Sequence, residues 1–232
     1  MMKYIIVFIA FIGLNSCLST AIAANNLNSI NLQQQNQASN PFRNKSKISN
    51  ATIDKIKPLI ENWLDYYHLD ITNFYTGNES SWLFDKNYHG IHNQRFESAT
   101  DDVYIPQMYD YSPSKQKYIS FLNVDHDTQS DKYIFYGNDD CQEIYLIDRK
   151  NKTKKIVLWF GTTQFLEAIF WLDEDHFIAV GYQKDELNDR HFIYILGPDN
   201  KMTDYYFDSN STELKTDYFY QNLNKRGVKR DN

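Results

Sequence analysis

The chain has 232 residues, enough for one domain or at most two once a targeting segment is removed. Lys and Arg total 24 against 30 Asp and Glu, a formal net charge of -6, and without a long basic run this argues against a nucleic-acid partner. Hydrophobic residues make up 42% and aromatic residues 16%, which excludes collagen, a coiled coil, a multi-span membrane protein and a mostly disordered chain, and favours strands.

The first 23 residues predict a secretory signal peptide. Lys3 precedes the apolar run 4–14, which is too short to span a bilayer and well sized for the hydrophobic region of such a peptide. Ala21 and Ala23 supply the small residues that signal peptidase accepts at positions -3 and -1, so cleavage is predicted after Ala23. This route predicts an exported, periplasmic protein.

A second processing site competes with the first. The segment Leu14-Asn15-Ser16-Cys17 resembles the lipobox of bacterial lipoproteins, although Asn15 departs from the small or apolar residue usual there. The resemblance implies lipidation of Cys17 and an outer-membrane lipoprotein whose lipid anchor is its membrane contact. The sequence leaves both routes open, and both export the chain.

The rest of the chain divides into three segments by composition. Residues 24–50 are rich in Asn, Gln and Ser and predict a disordered polar tether. Residues 51–220 form a single mainly-β domain, and residues 221–232 are predicted to be a frayed basic tail. Without Cys17, Cys141 stands alone, so no internal disulfide is expected and Cys141 is interpreted as a partly buried, unreactive thiol.

The segment 53–68 predicts an amphipathic helix. Asn50 suits a helix cap, and Pro58, which lacks a backbone N–H, favours an effective start near Lys57. Apolar residues recur at three- and four-residue spacing, as one helical face requires. These residues are Ile53, Ile56, Leu59, Ile60, Trp63, Leu64 and Tyr67.

From Val103 onward the pattern has the period of two that β-strands show. Polar turns at 148–153 and 197–201 predict hairpins. The predicted strands are short, rich in β-branched and aromatic residues, and bounded by turn residues. They are 117–122, 132–136, 143–147, 155–160, 165–171, 176–182, 191–196 and 202–207.

Two parts of this region are alike. Residues 111–121 parallel 171–180, and residues 144–148 parallel 193–197. This four-strand pattern, with Ser112-Pro113 in a turn, resembles a blade of the β-propeller proteins, but two blades cannot close a propeller. We therefore predict a mainly β fold, an antiparallel meander of two blade-like four-stranded units with an N-terminal capping helix. The units pack face to face or form one larger twisted sheet.

Four short motifs carry residue types used in metal binding or hydrolysis, and none is complete. His89-Gly-Ile-His92 and Asp125-His126-Asp127 carry zinc-ligand residue types without a complementary signature. Asp173-Glu174-Asp175 and Asp139-Asp140 supply carboxylates such as glycoside hydrolysis uses, but adjacent turn carboxylates are expected to face solvent. No catalytic, cofactor-binding or metal-binding residue is predicted.

Two functions from different classes follow. The first is an exported, non-enzymatic protein-binding domain of the bacterial envelope, of the immunity or accessory type, whose negative charge steers a basic protein partner. The alternative is an envelope protein that binds or hydrolyses glycans, which requires carboxylates from separate strands to meet an aromatic side chain in a pocket. A flat surface would exclude the alternative.

Overall fold

A computed structural model describes residues 45–77, 93–137, 141–184, 190–197, 201–207 and 217–231. Within these residues the fold is mainly β with antiparallel sheets, which confirms the predicted fold class. No helix in this part of the chain is long and apolar enough to cross a membrane. The predicted signal peptide, both processing sites and residues 24–44 of the predicted tether lie outside the described residues.

The regular elements of the described ranges are three α-helices, one 3-10 helix at Ile71–Asn73 and thirteen strands. The helices are α1 Asn50–Tyr67, α2 Ser98–Asp101 and α3 Asp217–Lys225. The strands are β1 Phe74–Thr76, β2 Asn93–Gln94, β3 Asp110–Tyr111, β4 Lys117–Ser120, β5 Val124–Asp127, β6 Lys132–Phe135, β7 Gln142–Asp148, β8 Thr153–Phe160, β9 Gln164–Trp171, β10 Phe177–Gln183, β11 Arg190–Leu196, β12 Met202–Phe207 and β13 Val228–Arg230.

Helix α1 begins before the position that the proline suggested. Ser49 is the N-cap, and its Oγ accepts a 3.1 Å hydrogen bond from the backbone N–H of Thr52. Pro58 lies inside the helix on its exposed side, where water can hydrate the carbonyl that loses its partner. The helix ends because His68 adopts the left-handed conformation, with φ of 54°.

Sheet 1 contains the second predicted unit. Strands β9 to β12 form an antiparallel meander, and β1 adds to its edge, giving the order β1-β12-β11-β10-β9. The ordered domain also reaches into the predicted tether, because Lys47 forms a β-bridge with Tyr75 and Ile48 is buried.

Sheets 2 and 3 contain the first predicted unit, and here the structure differs from a simple meander. Sheet 2 has the order β2-β8-β7-β4-β3, all antiparallel. The hairpin β5–β6 leaves this sheet and joins β13 in sheet 3, where β13 runs parallel to β6.

Residues predicted to be a basic tail belong to the domain instead. Helix α3 and strand β13 cover this region, and the side chains of Phe219, Leu223 and Val228 are buried in the core. The separated apolar residues between the basic ones supply this buried face, which explains why the segment is ordered.

The two large sheets pack face to face, with α1 on the far side of sheet 1. Strand β10 shows why: Phe177 and Ala179 belong to the core shared with sheet 2, whereas Ile178 and Val180 belong to the core under α1. Alternate residues of a strand point to opposite faces, so a strand that is apolar throughout serves two cores. The predicted capping helix is therefore confirmed.

Candidate functional site

A cleft of about 240 Å³ lies where ends of sheets 1 and 2 meet. Both sheets contribute an apolar lining, and charged side chains from strands and turns surround it. The apolar residues are Leu146, Val157, Trp171, Phe177 and Leu196. The charged residues are Lys117, Asp148, Lys155, Glu174 and Asp175.

The indole of Trp171 is held in the cleft by one hydrogen bond and one ring contact. Its Nε1 donates a 2.9 Å hydrogen bond to the backbone carbonyl of Asp110, and its ring centroid lies 5.6 Å from that of Phe177. Because one end of the indole is bonded and one side is packed, the ring keeps a fixed orientation without ligand.

The acidic turn between β9 and β10 reaches across to the neighbouring sheet. Ser114 donates to both carboxylate oxygens of Glu174, from its backbone N–H at 2.5 Å and from its Oγ at 2.7 Å. Lys117 Nζ lies 2.6 Å from Asp175 Oδ1. The sequence predicts that the carboxylates of Asp173-Glu174-Asp175 face solvent. In the structure, Glu174 and Asp175 instead connect this turn to the neighbouring sheet.

These contacts also set the electrostatics of Glu174. The side-chain hydrogen bond from Ser114 is the main cause that holds the pKa of Glu174 below its usual value, with the Lys117 charge acting in the same direction. Glu174 is therefore an acceptor of hydrogen bonds near neutral pH rather than a proton donor.

The remaining charged residues of the cleft come from the β7–β8 hairpin. Asp148 accepts hydrogen bonds of 2.9 Å and 2.8 Å from the backbone N–H and Nδ2 of Asn151, which closes the predicted turn. Lys155 follows on β8 and is paired in register with Leu146 on the same face.

A cluster of tyrosines forms the second surface of interest, next to the β3–β4 turn. Tyr104 is 49% exposed, and its ring centroid lies 4.6 Å from that of Tyr111 and 4.9 Å from Lys115 Nζ. Below it, Tyr109 stacks on the buried Tyr118 with ring centroids 4.4 Å apart. The sequence predicted aromatic residues in the core, and Tyr104 departs from that prediction.

A third group of interacting side chains, around Glu167 and His191, is buried and was not predicted from the sequence. Glu167 is 0% exposed and accepts hydrogen bonds from Trp63 Nε1, at 2.9 Å, and from the Tyr67 hydroxyl. His191 is also 0% exposed and packs on both aromatic rings, and neither of its ring nitrogens has a hydrogen-bond partner among the described residues. A single Glu within the apolar strand 164–171 was the available signal. The group is closed to solvent, so a ligand cannot reach it.

Of the two candidate metal motifs, only Asp125-His126-Asp127 lies within the described residues. His126 Nε2 lies 3.0 Å from Asp131 Oδ1 in an exposed pair. The described residues contain no group of three or more side chains that could hold a metal ion. His89, His92 and Asp139-Asp140 lie outside the described residues, and Cys141 is a half-buried free thiol.

Within the described ranges, the cleft and the tyrosine cluster are two accessible surfaces at which side chains from different elements meet. No protein-family model, curated protein or solved structure matches the chain.

Proposed function

We propose that this chain is an exported, non-enzymatic binding domain of the bacterial envelope and that its cleft holds a saccharide ring. The observation that carries the proposal is the fixed indole of Trp171 in one cleft with Lys117, Asp148 and Lys155. A sugar presents an apolar face of C–H groups and a rim of hydroxyls, so it needs an aromatic surface bordered by donors and acceptors.

The size of the cleft supports a small ligand. Its volume of about 240 Å³ lies just below the range of roughly 300 to 1,000 Å³ typical of small-molecule sites. A single ring or the end of a glycan suits this volume better than the middle of a long chain.

The electrostatics favour binding over hydrolysis. Glycoside hydrolysis requires a carboxylic acid whose pKa is raised so that it can protonate the leaving oxygen. The pKa of Glu174 is instead lowered, mainly by its bond from Ser114, and Asp175 is ion-paired with Lys117. Both side chains also hold the two turns together, which leaves them poorly placed to exchange protons with a ligand.

Calorimetric titration of the folded domain with a panel of mono- and oligosaccharides tests the proposal. We expect one saccharide class to bind and Trp171→Ala to weaken it at least about tenfold. Thr153→Trp should also block binding, because Thr153 lines the cleft from an exposed position and its replacement removes no core contact. Tyr104→Ala is the matched control. Absence of binding to the wild type, or full binding by Thr153→Trp, would overturn the proposal.

A second candidate is protein binding through the tyrosine cluster. Tyrosine is enriched at the centres of protein interfaces, and the exposed Tyr104 is already packed against Tyr111, so it could anchor a partner at a small cost in side-chain entropy. Co-purification from the native envelope should then recover a stoichiometric protein partner that Tyr104→Ala loses and Trp171→Ala retains. Repeated recovery of monomer alone would contradict it.

Export and lipidation are proposed on the sequence and have their own test. The intact mass of the mature protein distinguishes a soluble form beginning at Ala24 from a form acylated at Cys17. A palmitate analogue should label the protein only in the second case, and Cys17→Ser should then remove the label.

A further inference from the structure

The charged side chains around the cleft differ in how their charges are satisfied. Lys117 and Asp175 neutralise each other at 2.6 Å. Glu174 has hydrogen-bond donors on both carboxylate oxygens from Ser114. Asp148 likewise receives donors on both oxygens from Asn151. Four of the five charged groups that line the cleft therefore have partners within the protein.

Lys155 is the fifth, and no ion pair or hydrogen bond of its ammonium group occurs within the described residues. Its side chain is half-buried, on a face of sheet 2 that it shares with Leu146. Its neighbour in the chain behaves differently, because Lys154 Nζ lies 3.0 Å from Asp101 Oδ1. Of these two neighbouring lysines, the one without an ion pair to a described residue therefore lies on the cleft side of the strand.

We infer that the saccharide bound by this cleft carries a carboxylate, as uronic acids do, and that Lys155 pairs with it. The inference rests on the proposed function. An ammonium beside an apolar lining interacts with an anion more strongly than one in open solvent, because the surrounding dielectric constant is lower. The sugar ring would rest on Trp171, and its carboxylate would point across the cleft to β8.

The carboxylates of the cleft differ in how strongly they repel an anionic ligand. Asp175 is compensated by Lys117, whereas Asp148 and Glu174 keep their negative charge but direct their lone pairs to neutral donors. These two charges repel further anionic groups, so a ligand with one carboxylate, held at Lys155, and with hydroxyl groups elsewhere is the anionic saccharide that the cleft tolerates best. A polyanion such as a sulfated glycan is disfavoured.

The test compares matched sugars and matched lysine variants. Calorimetric titrations use glucuronate and galacturonate, with glucose and galactose as neutral counterparts, each as monosaccharide and short oligosaccharide. Proteins are the wild type, Lys155→Gln, and Lys132→Gln. Lys132 is an exposed strand lysine outside the cleft, so its replacement makes the same change in net charge. Thermal unfolding confirms that each variant is folded.

We expect the wild type to prefer the uronate by about tenfold or more over its neutral counterpart. Lys155→Gln should remove that preference and leave the weaker affinity for the neutral sugar, and Lys132→Gln should keep the preference. Equal binding of acidic and neutral sugars by the wild type would overturn this inference and leave the proposed function standing. Binding of no sugar at all would overturn both. If Lys155→Gln keeps the preference for the uronate, another group binds the carboxylate and the assignment to Lys155 is overturned.

Discussion

Trp63 Nε1 donates a 2.9 Å hydrogen bond to Oε2 of Glu167 and so joins helix α1 to a bulge in strand β9. The bulge leaves Glu167 without a partner on β10, between the paired residues Leu166 and Ala168. The Tyr67 hydroxyl, one helical turn beyond Trp63, bonds the other carboxylate oxygen. The contact between helix and sheet therefore contains an ionisable group in a closed, apolar environment.

The first prediction concerns Glu167→Gln and pH. Burial raises the pKa of Glu167 to about 7 from 4.5. Because the pKa of Glu167 is higher in the folded than in the unfolded protein, its protonated form stabilises the fold fully at a pH below the unfolded-state pKa. This stabilisation is lost as the pH rises through the folded-state pKa. We expect the difference in free energy of unfolding, variant minus wild type, to increase by about 3 kcal/mol between about pH 4 and pH 8. Urea unfolding at each pH measures this, and parallel profiles would contradict it.

The second prediction concerns His191→Phe, which keeps a ring against Trp63 and removes the titrating group. Burial lowers the pKa of His191 to about 4 from 6.5. Here stability is present above the unfolded pKa and is lost as pH falls through the folded pKa. The difference in free energy of unfolding, His191→Phe minus wild type, should therefore increase by about 3 kcal/mol as the pH falls from about 7 to about 3.5. A constant difference across that range would refute the assignment.

The contributions of Glu167 and His191 to the pH dependence of stability oppose each other between about pH 4.5 and pH 6.5. Glu167 loses stabilisation as pH rises through this range, and His191 gains it, so the two contributions cancel. In each single variant only the contribution of the remaining group is left. Relative to the wild type, the stability of Glu167→Gln should therefore rise with pH across this range, and that of His191→Phe should fall. The double variant serves as the control, and its profile should have the same slope as that of the wild type across this range.

The third prediction concerns the buried ion pair that holds the C-terminal segment to β3. Arg226 and Asp110 form an ion pair with side chains 14% and 12% exposed. Within the part of the chain that the structure describes, Asp110 Oδ2 and Arg226 Nη1 have no hydrogen-bond partner. Arg226→Met leaves the buried carboxylate uncompensated and should cost about 3 to 5 kcal/mol in chemical denaturation at neutral pH.

Two controls make that prediction specific. Asp110→Leu combined with Arg226→Met should recover most of the loss, because neither charge is then buried. Lys117→Met breaks a pair whose side chains are 26% and 56% exposed, and should cost less than about 1 kcal/mol. Equal losses for the buried and the exposed pair would argue against the assigned burial.

The fourth prediction concerns Gly181, opposite the bulge. A Cβ at this position would lie 2.0 Å from the carbonyl oxygen of Phe165 and 2.7 Å from Cζ of Phe192. Gly181→Ala should therefore cost about 3 kcal/mol and weaken the bond between Trp63 and Glu167. Gly161→Ala is the control, since its nearest atoms are 3.5 Å away. Tryptophan fluorescence and thermal unfolding report the two effects, and equal stability of both variants would contradict this.

Elements whose residues follow one period over their whole length were predictable from the sequence. The apolar face of α1 and the strands of sheet 1 depend on side chains that alternate along a single segment, so local patterning identifies them. The pairing of β6 was not predictable, because its two neighbours in sheet 3 include β13 from the far end of the chain. The order of the segment 221–230 depends on the same long-range pairing.

The sequence by itself determined the mainly β class, the capping helix and the turns, since periodicity and turn chemistry act between residues close in the chain. Only the tertiary structure decided that Trp171 shares a cleft with Lys155, and that Glu167 meets Trp63 beneath the helix. Each of these meetings joins residues from elements far apart in sequence, and it is the packing of whole sheets and helices that sets such distances.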